Sequence, residues 1–100
     1  MERLERHEFT CAFCYKERAT FVTRSKLEES MRRSRPIQEI FNPQFFPSTY
    51  REIFVSKMCG ECNKQKFGDN PRDVILDVDI NENDSELEAR ITTMYEDARE

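Results

Sequence analysis

Two Cys-x-x-Cys pairs, Cys11-Ala-Phe-Cys14 and Cys59-Gly-Glu-Cys62, stand in a chain of 100 with 44 residues between them, and no other feature restricts its fold as much. Two residues between cysteines let both sulfurs of one turn face one ion. Two such turns supply a closed tetrahedral shell of four thiolates. The ion expected is one Zn2+, held at about 2.3 Å by each sulfur with no position left for water, so its role is structural. Rubredoxin-type iron uses the same spacing. Two disulfides and four metal-free thiols are the alternatives, while a redox dithiol lacks the βαβ surroundings such a motif expects. His7, four residues before Cys11, reads as a surface histidine or a neighbour of the site.

A chain of this length has use for such a staple, because it buries only ~65% of the surface its unfolded state exposes. Its residues are 37% hydrophobic and 36% charged. No apolar run approaches the roughly 20 residues of a membrane span, and charges stand in Met1 to His7 where a signal peptide would carry apolar residues. The expectation is an intracellular protein, nuclear or cytoplasmic, with reduced cysteines available to metal and no membrane contact.

The periodicities suggest a small α+β fold. Ala19 to Thr23 is β-branched and aromatic, one arm of a hairpin whose turn carries Cys11 and Cys14. Ser25-x-x-Glu28 has the spacing of a capping box, predicting a helix from about Lys26 to Arg33 that Pro36 ends. Pro36, Pro43 and Pro47 then bracket an irregular apolar crossing, and Phe41, Phe45, Phe46, Tyr50 and Phe54 read as core rather than as a platform for stacked bases. A second capping signal, Thr49-x-x-Glu52, precedes Ile53-Phe54-Val55. One or two helical turns fit between Cys59 and the turn cluster Gly68-Asp69-Asn70-Pro71. Val74, Leu76, Val78 and Ile80 alternate with Asp77 and Asp79 as in a half-buried strand. Ser85-x-x-Glu88 opens a last helix with Leu87, Ile91, Met94, Tyr95 and Ala98 on one stripe.

Charge divides the chain at the same place. Residues 1–72 carry 14 Lys/Arg against 10 Asp/Glu, net +4, and residues 73–100 carry 2 against 10, net −8. The expected organisation is therefore a four-cysteine zinc domain over 1–72 and an acidic strand–helix extension over 73–100, packed on that domain or on a partner.

Met58-Cys59-Gly60-Glu61-Cys62-Asn63-Lys64-Gln65-Lys66, followed by Gly68-Asp69, resembles the second zinc-binding element of HNH-family endonucleases and their treble-clef relatives. Cys11-Ala-Phe-Cys14 with its hairpin is similar to the first element, so the resemblance covers about residues 9 to 70. It implies a treble-clef-like domain with Cys11, Cys14, Cys59 and Cys62 as structural ligands. Asn63 falls where that family places a ligand of its catalytic metal. The water-activating histidine expected after the hairpin is absent, because Thr23-Arg24-Ser25-Lys26 stands there, and hydrolysis without a base is not expected. The same spacing is similar to the zinc-associated domain of many insect zinc-finger transcription factors, whose long helix after the second pair Gly68 and Pro71 oppose.

The function expected is therefore binding, not catalysis, with no small-molecule substrate. The chain reads as an adaptor or regulator that meets a protein partner or a second copy through Leu87, Ile91, Met94 and Tyr95, in a transcription or nucleic-acid complex. Direct DNA or RNA binding is the alternative. It would use the phosphate-seeking stretch Arg24, Lys26, Arg32, Arg33 and Arg35, against which the overall acidity (pI about 5.1) counts.

Overall fold

The computed structural model describes residues 2–33, 35–68 and 74–98. Strand β1 (Leu4–Thr10) turns back through the Cys11–Cys14 loop into β2 (Glu17–Thr23), pairing antiparallel from Leu4 opposite Thr23 to Thr10 opposite Glu17. The cysteine-bearing turn thus sits where the spacing placed it. Helix α1 (Arg24–Arg32), a short α2 (Ile37–Ile40), α3 (Ser48–Val55) and α4 (Gly60–Phe67) follow. Then β3 (Val78–Asp79) pairs antiparallel with β2, and α5 (Ser85–Asp97) packs on β2.

The sheet order β1-β2-β3 makes β2 central, and every residue of it from Arg18 to Thr23 is buried. That is why its β-branched and aromatic run shows no alternation. Around it lies an aromatic core. Phe41 stacks on Phe54 at 5.0 Å and meets Tyr50 edge-on at 5.5 Å, and Phe46 meets Tyr95 edge-on at 5.1 Å. Tyr50 is fully buried; its hydroxyl donates to the Phe21 carbonyl (2.5 Å) and lies 2.9 Å from the Tyr95 hydroxyl, joining α3, β2 and α5.

Several local expectations need correction. None of the three Ser/Thr-x-x-Glu signatures caps a helix, because each hydroxyl-bearing residue stands inside its helix rather than before it. Helix α1 begins at Arg24 behind Thr23, and both the hydroxyl and the backbone N–H of Ser25 donate to Glu2. Helix α3 begins behind Pro47, and the Thr49 hydroxyl donates to the Val74 carbonyl at 2.6 Å. Helix α5 begins at Ser85 behind Asp84. The first helix stops at Arg32, where Arg33 turns left-handed (φ 53°), while Pro36 serves instead to open α2.

The alternation over 74–80 also misled. Only Val78 and Asp79 enter the ladder, Val74 is 43% exposed and Asp77 is 2% exposed. Side chains hold this segment in place of a strand: Thr49 bonds the Val74 carbonyl, Thr20 the Leu76 carbonyl (2.7 Å) and Arg18 the Asp77 carbonyl (3.0 Å). The stripe on α5 is spent inside the chain, with Leu87, Ile91 and Tyr95 buried and Met94 packed against the same core. Gly68 ends α4 with φ 90°, a conformation side chains resist. The rest of the expected turn cluster, Asp69 to Pro71, and the boundary at 72/73 lie outside the described residues. No helix among the described residues is long and apolar enough to cross a membrane.

Candidate metal centre

Cys11 and Cys14 come from the β1–β2 turn, and Cys59 and Cys62 from the start of α4. The fold brings these turns together through the backbone as well as the sulfurs: Ala12 N–H donates to the Lys57 carbonyl at 2.9 Å. The four Sγ atoms all lie within 4.8 Å of one another, with Cys11 to Cys62 and Cys14 to Cys59 at 3.8 Å each. A tetrahedral shell with sulfur at about 2.3 Å has edges of about 3.8 Å, whereas a disulfide needs about 2.05 Å, so the arrangement fits a metal ion and not a bond between the sulfurs. All four cysteines are free, and Cys11 and Cys59 are fully buried.

The first turn is shaped to present donors to sulfur. Tyr15 takes a left-handed conformation (φ 63°) and its N–H closes on the Cys11 carbonyl at 2.9 Å. The N–H groups of Phe13, Cys14 and Cys59 point at Cys11 Sγ from 3.4, 3.5 and 3.4 Å. Burial opposes ionisation of Cys11, but these three donors outweigh it and bring the thiol down to about 6. Burial pushes the Cys59 thiol up to about 11 and raises Cys62 as well.

Helix α4 begins in an unusual way. Cys59 occupies the cap position, and its sulfur meets the Cys62 N–H, which leaves the Gly60 N–H of the first turn to be satisfied from elsewhere. Asp77 supplies the acceptor from elsewhere: its Oδ1 takes the Gly60 N–H at 2.8 Å, and its Oδ2 takes Arg18 Nε at 2.6 Å. A Cβ on residue 60 would stand 2.9 Å from Asp77 Oδ1 and 3.0 Å from Ile75 Cγ2, so the close approach requires glycine. Burial alone would favour the neutral form of Arg18. The hydrogen bond to Asp77 outweighs it and holds the guanidinium charged, with smaller contributions from Asp77's charge, Glu61 and Cys59. Of the four cysteines, Cys59 is the one whose charge acts on Arg18.

The other expected site residues are placed differently. His7 lies on β1, half-buried between Phe9 and Phe54, and is not in the sulfur cluster. Asn63 is 1% exposed, with its amide nitrogen unpartnered among the described residues. The basic stretch is largely tied up within the chain. Arg24 makes two bonds to Glu5 (2.9 and 3.0 Å), Arg35 meets Glu29 at 2.7 Å and Arg32 meets Glu28 at 3.9 Å. Lys26 donates to the Ile40 carbonyl at 2.6 Å, over the rings of Phe41 and Phe46, and burial draws its amine below the ordinary range against the pull of Glu29.

Sequence reasoning missed Arg18, Gly60 and Asp77. The available signal was Ile75-Leu76-Asp77-Val78, where a carboxylate stands in an apolar run that is not strictly alternating. The four cysteines form a candidate metal-binding centre in a small α+β protein. No protein-family model matches the chain, nor does any curated protein or solved structure.

Proposed function

We propose that the chain is a non-catalytic module in which Cys11, Cys14, Cys59 and Cys62 hold one Zn2+ as the structural keystone of a surface for protein–protein contact. The observation that carries this reading is the sulfur cluster itself: four thiolates at tetrahedral spacing complete the coordination of Zn2+ and leave no position for a reacting water. The second pair sits at the first turn of a helix and the first in a hairpin turn, an arrangement that supports a treble-clef type of fold. Asn63 lies in the interior rather than in a cleft, which supports a chain that does not cut nucleic acid.

Direct nucleic-acid contact through Arg24 to Arg35 is the weaker reading, since Arg24, Arg32 and Arg35 meet carboxylates of this chain and Lys26 is turned inward. Metal analysis of reduced, purified protein tests the proposal. One zinc per chain with four-sulfur X-ray absorption supports it; stoichiometric iron, or folded protein without metal, overturns it.

A further inference from the structure

We propose that the trough between the C-terminal ends of α1 and α3 is the docking site for an acidic amphipathic peptide segment of another protein. The inference rests on the reading of the chain as a protein-binding module and names the surface and the chemistry of what it takes.

Helix α1 has no fully buried residue. Leu27 is half-buried against the core, but Met31, one turn on, is 74% exposed, and Val55 at the end of α3 is 47% exposed. Between the two helix ends lie two adjoining hollows of about 240 and 320 Å3 that share Ser30, Arg33, Phe54 and Val55. Their floor is mostly apolar, with Ser30 in both and His7 in the second, and their rim is cationic, with Arg33 common to both, Arg35 on one and Lys57 on the other. The chain as a whole has 20 acidic residues against 16 basic ones, yet no carboxylate lines either hollow. Among the described residues the Arg33 and Lys57 side chains meet no carboxylate, while Arg35 is shared with Glu29.

Both unpaired cations also stand where a small residue would be less strained. Arg33 (φ 53°) and Lys57 (φ 58°) follow the last turns of α1 and α3 in the left-handed region that glycine favours. Left-handed residues commonly close helices, and here the two that close α1 and α3 set both side chains beside one trough.

Apolar floor and cationic rim together select an occupant that is apolar on one side and acidic at its margins. A nucleic-acid backbone would satisfy the rim but leave Met31 and Val55 against phosphate. The chain's own acidic helix α5 does not fit either, because its apolar stripe is already in the core.

The test selects 16-residue peptides from a random phage-displayed library on the zinc-loaded full chain, then maps the bound peptide by NMR. The expected result is enrichment of peptides combining Asp/Glu with large apolar residues, shifts centred on the methyls of Met31 and Val55, and affinity lowered about tenfold by Arg33→Glu or Lys57→Glu. At pH 8, where His7 is neutral, metal content and thermal unfolding of both variants should stay unchanged, since both side chains are exposed. Enriched peptides that are neutral or basic, or that map to the exposed Phe13 and Phe67, overturn the trough while leaving the protein-binding reading standing. Failure to enrich any peptide overturns both. Binding of a single-stranded oligonucleotide at Met31 and Val55 overturns the proposed occupant.

Discussion

Asp77 accepts the backbone N–H of Gly60 at 2.8 Å, so the helix that carries half of the four-cysteine cluster is capped by a residue 17 positions later in the chain. The same carboxylate takes Arg18 Nε at 2.6 Å with its other oxygen, and its side chain is fully buried. One group thereby fixes the start of α4, the central strand and the segment leading to β3.

Removing that carboxylate leaves a buried guanidinium without its partner. Asp77→Ala should lower stability by about 3–5 kcal/mol, a large share of the ~5–15 kcal/mol typical of a domain this size. Metal affinity should fall with it, because α4 loses its cap. Urea unfolding at saturating zinc measures the first effect and competition with a chromophoric chelator the second. The paired replacement Arg18→Met with Asp77→Leu should cost far less than the single change, since it removes both charges together.

Any one of Cys11→Ser, Cys14→Ser, Cys59→Ser or Cys62→Ser should abolish stoichiometric metal and cooperative folding, because structural zinc contributes on the order of 10 kcal/mol in small domains. A strong chelator should unfold the wild type, reversed by added Zn2+. With the Cys59 thiol raised to about 11 and Cys62 raised too, uptake near neutral pH releases protons, and affinity should climb as pH rises. Proton release in weakly buffered calorimetry checks the sign.

His7 gives a separate acid sensitivity. Burial first, and the charge of Lys57 second, hold its folded-state pKa below the ordinary 6.5. The unfolded chain then binds a proton more readily than the folded one, so stability is full above the unfolded value and is lost as pH falls from there toward the folded value. His7→Phe should remove this component. The difference in unfolding free energy between wild type and variant, measured from pH 8 to pH 5 with zinc in excess, should change in that window and level off above it.

Ile91 is fully buried. Ile91→Asp should therefore unfold the chain rather than selectively weaken an association, because it places a carboxylate without a partner in the core. Tyr50→Phe is milder, at about 1–3 kcal/mol, since it strips the Phe21 carbonyl and the Tyr95 hydroxyl of a buried partner. Circular dichroism during thermal unfolding separates the two.

What the residues disclosed in advance follows from range. Cys11-x-x-Cys14 and Cys59-x-x-Cys62 carry their geometry within four residues, so the clustering of the four sulfurs was legible and only the fold was needed to join the pairs. The aromatic core and the α5 stripe were legible because apolar side chains recurring at helical spacing have few places to go. The caps were not, since Ser25 bonds Glu2 and Thr49 bonds Val74, acceptors far away in sequence that outbid the local ones. Asp77 was unreadable for the same reason: its role exists only once Arg18 and Gly60, 59 and 17 residues away, are beside it.

The side chains that hold residues 74–77 also decide how the sheet meets its surroundings. Beyond the two-residue β3, side chains continue what the ladder begins: the Thr20 hydroxyl donates to the Leu76 carbonyl, and the Tyr50 hydroxyl donates to the Phe21 carbonyl of β2. The opposite border of the sheet is β1, where Glu5, Arg6 and Glu8 are exposed and make an added strand costly. Charge on the one border and the short β3 on the other both work against strand addition to this sheet.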